Sequence, residues 1–390
     1  MRTARISLLS LWLIACGPPK LELAAGTTCA MTTNPGPTSA SLLEALGTAT
    51  RGTCVVAAPA KYTGSFTVPD GVILGGETGA VVEFTGDAVD RPAVTLGAGA
   101  TLTGLRINGA PGVGISAGGG AQLINVQVQA SIAAGLIFWC EDDCRTFDPA
   151  WLSNVELTNN AVGLIVHGAR VNTVGGKISG SQSDALASGY GVVASHGADL
   201  QMTGTRVEDN QVLGVLVDGA LDTNVSLAQV TVQNNRGRGV WAQGMLGTMG
   251  VPRLHLNGCV VEGNRLVGVG TRGSRGVVIE AGSVGRTALA QTSDGNGGLI
   301  SVGDGIGLFA NSSDVQVAAV TLSGNERSQV LVDRGSTALV VERSTITPTG
   351  TQLGVVVQNT VEVVQAPMIV TPQMGQELPI SAPMMGLPVR

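Results

Sequence analysis

The chain has 390 residues, of which 57 are glycine, 44% are apolar, 3% aromatic and 13% charged. This profile excludes a bundle of long amphipathic helices and fits many short strands joined by tight turns. The formal net charge of −6 is dispersed, with no Lys/Arg cluster to neutralise a run of phosphates, which excludes nucleic acid as an expected partner.

In chain order, Arg2 and Arg5 form a charged start and Ile6 to Ala15 a short apolar core that ends in Leu13-Ile14-Ala15-Cys16. A core of this length is too short to span a bilayer. The L-I-A-C tetrad resembles the lipobox of bacterial lipoproteins, in which the signal is cleaved before the cysteine and the cysteine is acylated. The resemblance implies a signal peptide over residues 1–15, lipidation of Cys16, and anchoring to a membrane by two or three acyl chains. Gly17 stands where Asp would favour the inner membrane, which implies the outer membrane of a Gram-negative bacterium, on its periplasmic or surface face. Residues 16–38 then read as a lipidated flexible tether.

Ser41-Leu42-Leu43-Glu44 has the form of a capping box and predicts a short helix over Leu42 to Ala49, placed to plug the open end of the stack of strands that follows. Cys29 and Cys54 flank it, and export permits disulfides, so this pair is expected to tie the tether to the first strands. Cys140 and Cys144 share the loop W-C-E-D-D-C. With no histidine near and no zinc-like spacing, a loop-closing disulfide is favoured over a metal loop with Asp142 and Asp143. Cys259 falls at an inward strand position and reads as a buried small hydrophobe.

A unit of roughly 27 residues then returns through most of the chain: an alternating strand, a polar turn, and a glycine followed by an apolar strand. The glycine-led strand begins at Gly114, Gly135, Gly163, Gly191, Gly214, Gly239, Gly268, Gly307, Gln329 and Gly354. The turns before it include Asn159-Asn160, Asp209-Asn210, Asn234-Asn235, Gly263-Asn264 and Gly324-Asn325. A single coil cannot bury its apolar residues, whereas coils stacked about 4.8 Å apart bury them in one column. The bends require backbone near the left-handed region, which Asn and Gly tolerate best. Variable coil length argues against the left-handed hexapeptide helix.

These repeats resemble the right-handed parallel β-helix repeats of the pectin-lyase-like superfamily, over about residues 53–365. Cys54-Val55-Val56, Lys61-Tyr62 and Val72-Ile73-Leu74-Gly75 look like that superfamily's first coils, with Ala60-Lys61-Tyr62 in place of the usual glycine version. The expected fold is all-β: a single-stranded right-handed parallel β-helix with a short N-terminal capping helix over residues 39–365, and an irregular Pro/Met-rich tail over 366–390.

A further strand in each coil carries inward residues aligned as Leu102, Leu123, Leu152, Val171, Leu200, Val225, Leu254, Val278, Val315 and Leu339. The resemblance puts a substrate groove on this face. One outward row reads Trp151, Arg170, Asp199, Asn224, Arg253, and the next Ser153, Asn172, Gln201, Ser226, His255. The candidate ligand-binding residues are therefore Trp151, Arg170, Asn172, Asp199, Gln201, Asn224, Arg253 and His255, chemistry suited to sugar hydroxyls and acidic sugars.

Asp199 lacks the second carboxylate that glycoside hydrolysis needs. The polygalacturonase-like aspartate sets with G-H-G and R-x-K are absent, His167 and His196 lying in H-G-A turns, and Asp148-Pro149-Ala150 shares only two letters with an epimerase-like D-P-H. No acidic calcium nest accompanies a lyase-type base. The weak catalytic candidates are Asp199, Arg253 and His255, and Arg170 with Asp199 also reads as a plain surface ion pair. The expectation is a monomeric, membrane-anchored lipoprotein without cofactor or metal, non-catalytic and recognising polysaccharide or another envelope component. The alternatives are a polysaccharide lyase or glycoside hydrolase, and a purely structural envelope protein.

Overall fold

The computed structural model describes residues 28–76, 81–140, 148–182, 188–248, 250–293, 299–333, 336, 339–348 and 352–358. The expectations for the signal, Cys16, Cys144 and the tail from Ala366 lie outside these residues. The chain winds as a right-handed parallel β-solenoid of about 12 turns. Each coil gives one strand to each of three parallel sheets. Sheet 1 runs from Met31–Thr33 and Thr53–Ala57 to Leu339–Glu342, sheet 2 from Lys61–Thr63 to Thr345–Thr347, and sheet 3 from Phe66–Val68 to Leu353–Gln358.

Strand alternation sends one column of aliphatic residues inward from each sheet. Leu102, Leu123 and Leu200 of sheet 1, Ile107, Val128 and Val232 of sheet 2, and Ile115, Leu136 and Val240 of sheet 3 are all 0% exposed. Each such side chain contributes about 1.5–3 kcal/mol relative to exposure, realised only when the neighbouring coil covers it. In the first coils the column is aromatic: Tyr62 stacks on Phe84 at 5.4 Å, and Phe66 meets Phe84 edge-on. Helix α1, Ser39–Thr48, buries Leu42, Ala45 and Leu46 over this end.

The capping box differs from the expected one. Thr38 is the N-cap and Ser41 its reciprocal partner, so the helix starts at Ser39, three residues before Leu42, because the Thr38 hydroxyl already accepts from a free backbone N–H of the first turn. Met31–Thr33, inside the stretch read as tether, pairs in parallel with Thr53–Val55. The Cys29–Cys54 disulfide joins the same two segments. Cys140 is also disulfide-bonded, and Cys259 is buried with Sγ 3.2 Å from the Leu227 carbonyl.

The asparagine turns lie at the corner between sheets 2 and 3. Asn160, Asn210, Asn235, Asn264 and Asn325 are each 0% exposed. The residue before each takes the left-handed conformation, with φ of 55° at Asn159, 57° at Asp209 and 56° at Asn234, and Gly263 and Gly324 doing the same. Asn235 Oδ1 accepts from the backbone N–H of Asn210 at 3.0 Å and from its amide at 2.9 Å, while Asn235 donates to Asn264 Oδ1 at 2.8 Å. Coils without asparagine put Ser131, Ser181 or Thr287 at this position, and their N–H groups donate to Asn160, Asn210 and Asn325.

Two alignments shift. Ile306 pairs with Val269, which sets Gly305 rather than Gly307 opposite Gly268. The run Gly303-Asp304-Gly305-Ile306-Gly307 offers glycines two apart, and the core selects the register that buries Ile306 and Leu308. Gly307 instead lies outward beside the Phe309 ring, as Gly270 lies beside Trp241. In sheet 1, Val277 and Ile279 enter the core while Val278 faces outward next to His255. Three successive aliphatics left the facing side undetermined by alternation.

Sheet 3 also has an apolar outer face. Tyr190, Leu213, Leu216, Trp241 and Phe309 form a second cluster there, against which Ala290–Ser293 folds back as an antiparallel partner of Leu299–Val302.

Candidate functional site

Sheet 1 presents the predicted residues, in a different axial arrangement. Ala150 pairs with Val171, and Trp151 with Asn172 rather than with Arg170. The middle outward row therefore reads Gln122, Trp151, Asn172, Gln201, Ser226, His255. Arg170, Asp199 and Asn224 form the row beside it: Arg170 Nε is 3.5 Å from Asp199 Oδ2, and the Asn224 amide donates to Asp199 Oδ1 at 3.2 Å.

The three weak catalytic candidates are not brought together. Asp199 is held by Arg170 and Asn224. Arg253, at the corner before its strand, reaches Asp222 at 3.3 Å. His255 Nε2 contacts Glu280 Oε1 at 2.8 Å, one coil further on. Each candidate is thus paired with its own neighbour, an arrangement of exposed and half-exposed pairs that contributes little stability individually.

The concavity lies at one end of the predicted row, where sheets 3 and 1 meet. Early coils turn this corner on small residues: Asp70-Gly71, Ala98-Gly99 and Gly118-Gly119-Gly120. Gly71 takes φ of 64° and leaves room for Arg51, whose Cγ a β-carbon there would meet at 2.8 Å. Asp70 Oδ1 stitches the floor by accepting from Ala98 N–H at 2.8 Å. The next coil replaces the small corner with the long connection from Cys140 to Ala150. Gly120 N–H donates to the Asp148 carbonyl at 2.7 Å, so Asp148 and Pro149 stand directly beside the short corners and form a step.

That step borders an open concavity of about 490 Å³, floored by Ala98, Gly99, Gly119 and Gly120 and walled by Asp148, Pro149 and Trp151, with Gln122 and Arg51 completing it. Trp151 is 49% exposed. Asp148 is the one carboxylate among these lining residues and Arg51 the one cation. The sequence reading reached Trp151 but not Arg51, Gln122 or Asp148. The available signal was corner length, glycine-rich turns followed by a ten-residue connection, since side-chain pattern alone does not mark residues so far apart in the chain.

A second aromatic group stands on the same corner. Trp139, also 49% exposed, stacks on His167 with ring centres 3.9 Å apart, and His167 stacks on His196 at 4.4 Å. His167 ends the strand Val162–His167, pairing with Trp139 on one side and Ser195 on the other, and His196 follows Ser195 in a left-handed turn with φ of 56°. His167 Nδ1 lies 3.2 Å from Ser195 Oγ. Trp139 and Trp151 therefore flank the long corner. Flat half-exposed rings, an amide, a guanidinium and one carboxylate can stack on sugar C–H faces and bond hydroxyls. Glycosidic cleavage requires two flanking carboxylates, and among the described residues that line the groove Asp148 is the one carboxylate.

Residues 93–251 match the family model described as right handed beta helix region. No curated protein matches the chain. Among solved structures, the Dettilon tailspike protein (gp208) superposes with a TM-score of 0.55 at 12% identity, over 81% of this chain and 64% of its own. The chain thus spans less than two thirds of that tailspike. The Azotobacter vinelandii mannuronan C-5 epimerase AlgE6 A-module gives 0.48 at 15% identity, over 89% of this chain and 96% of that one. The polygalacturonase from Erwinia carotovora ssp. carotovora gives 0.39 at 11% identity, over 89% and 100%. At these identities the likeness is one of fold alone.

Proposed function

Taking a right-handed parallel β-helix with a stepped corner as the starting point, we propose that this protein is a non-catalytic carbohydrate-recognition lipoprotein whose site is the groove at Arg51, Gln122, Asp148 and Trp151. The observation that carries the reading is the groove itself: about 490 Å³ of open space with a half-exposed indole wall, a hydrogen-bonding floor edge and one charge of each sign. A volume of this order accommodates a short stretch of glycan. The outward row from Trp151 through Asn172, Gln201 and Ser226 extends the polar surface along the axis, which suits a linear polymer more than a compact metabolite.

Binding of the purified full-length chain to a glycan array tests it. Trp151→Ala is expected to weaken the best ligand about tenfold. Binding unchanged in that variant, or no glycan bound at all, removes the reading and favours an architectural role. Turnover assays on uronate polymers with and without calcium address the enzymatic alternative, and product formation lost in Asp199→Ala or His255→Ala replaces recognition by catalysis. The proposal includes export: Cys16 carries the lipid and the outer membrane holds the protein, supported by the L-I-A-C tetrad and Gly17. Incorporation of labelled palmitate that persists in Cys16→Ala contradicts this part.

A further inference from the structure

Trp139 ends the strand Ala134–Trp139 just before the long corner and is 49% exposed. One face of its indole is occupied. His167, its partner on the following coil, stacks on it at 3.9 Å with the ring planes 7° apart, and is itself backed by His196 at 4.4 Å. The opposite face turns to the preceding coil. There Ala117 pairs with Phe138, so Gly118 is the residue next to Trp139 and offers no side chain to cover the ring. The exposed half of Trp139 therefore includes a flat apolar face whose other side is fixed by the histidines.

That face borders the corner groove. Gly118 adjoins Gly119, a floor residue, and Gln122 at the far side of the floor pairs with Trp151. Trp139 and Trp151 thus stand on one coil, beside the two ends of the segment from Gly118 to Gln122. Four residues of chain span at most about 14 Å, which about three linked pyranose rings cover. Between the ends lie Gly119 and Gly120, with no side chains to interrupt a ligand, and Ala121, which is buried. Indoles favour flat apolar partners, and a pyranose with its C–H bonds gathered on one face is such a partner. A ring already held in place loses little freedom when a ligand settles on it.

We propose that Trp139 is a second sugar-stacking subsite, so that the groove takes an oligosaccharide of about three or more rings laid across the glycine corner from Trp139 to Trp151. The inference rests on the carbohydrate reading of the groove and adds to it a minimum ligand length and a direction. The rings between the two indoles cross the corner, and any continuation beyond Trp151 meets the outward row of sheet 1. His167 and His196 act as positioning residues behind the indole.

Titration calorimetry on the full-length chain tests it, with dimers and tetramers of galacturonate and of β-1,4-linked glucose as probes. Wild type is expected to bind the better tetramer about tenfold more tightly than its dimer, the scale of one added aromatic contact. Trp139→Ala and Gly118→Leu are each expected to lose most of that gain. In Gly118→Leu the tryptophan and its histidines stay, and a β-carbon at Gly118 meets no neighbour closer than 3.5 Å. The added side chain then covers the free indole face, which separates lost stacking from a loosened corner. A length gain retained in either variant, or absent from wild type, overturns the second subsite and leaves the groove reading intact. Failure of all four sugars to bind overturns it as well. The groove is read separately from the dimer: a dimer affinity unchanged in Trp151→Ala contradicts the carbohydrate reading itself, and this inference with it.

Discussion

His255 Nε2 and Glu280 Oε1 are 2.8 Å apart on adjacent strands of sheet 1, with about a third of each side chain open to solvent. Solvent at that exposure screens the pair. A double-mutant cycle of His255→Ala and Glu280→Ala is expected to give a coupling of about 0.5 kcal/mol in urea unfolding. A coupling several times larger points to a constrained, desolvated dyad and reopens a catalytic role for His255.

If the groove binds glycan as proposed, Arg51 is expected to distinguish acidic from neutral ligands. It is the one cation among the groove's described lining residues, and Arg51→Met keeps much of the aliphatic packing on Gly71 while removing the charge. Affinity for a uronate-containing glycan is expected to fall about tenfold, the scale of one charge-assisted contact, with neutral glycans unaffected. Equal losses for both ligand classes contradict a charge-reading role and leave Arg51 as packing.

Asn235→Ala removes the acceptor of the buried Asn210 N–H and of its side-chain amide, and the donor to Asn264. The orphaned groups are 0% exposed, so a loss of about 2–4 kcal/mol is expected in chemical denaturation. The exposed Asn257→Ala serves as control, within about 0.5 kcal/mol of wild type. Similar small effects for both variants deny the ladder its structural weight.

Glu208 governs part of the acid response. Burial by itself raises its pKa, but hydrogen bonds from Lys177 and Gln233 and the charges of Lys177 and Arg206 outweigh burial and hold the carboxyl below its ordinary value. A depressed folded-state pKa stabilises fully above the unfolded value, about 4.3, and the contribution disappears as pH falls through the lower folded value. Stability measured from neutral to acid pH is therefore expected to drop less steeply for Glu208→Gln below about pH 4. Parallel acid limbs for the two proteins contradict the assignment.

Gly270 is fixed by its neighbour. A β-carbon there would stand 2.4 Å from the Trp241 ring, so Gly270→Ala is expected to cost about 1–3 kcal/mol through overpacking. Gly250→Ala, where a β-carbon meets nothing, provides the comparison in the same unfolding assay.

The column of coils was legible because periodicity and corner residues report directly on it: inward leucines and valines alternate, and Asn or Gly marks each bend. Alternation fixes which face a residue takes but not its position along the axis. Ala150 and Leu152 both point inward, as do Val171 and Thr173, so sliding one strand by two residues preserves the face and moves Trp151 from beside Arg170 to beside Asn172. The same two-residue ambiguity separates Gly305 from Gly307. Val277, Val278 and Ile279 defeat alternation altogether, being apolar in succession. The groove escaped notice for another reason. It arises from the difference between neighbouring corners, and joins Arg51 to Trp151 across a hundred positions of chain.

The dependence of every coil on only the coils before and after it separates length from architecture. A whole turn can be duplicated or excised between two left-handed bends, provided the buried amide or hydroxyl keeps its place at the second corner. Such edits lengthen or shorten the rod without redesigning its cross-section. The stepped groove is the exception: it exists only where a glycine corner abuts a longer connection, so a turn inserted between Gly120 and Asp148 would erase the groove while leaving the fold intact.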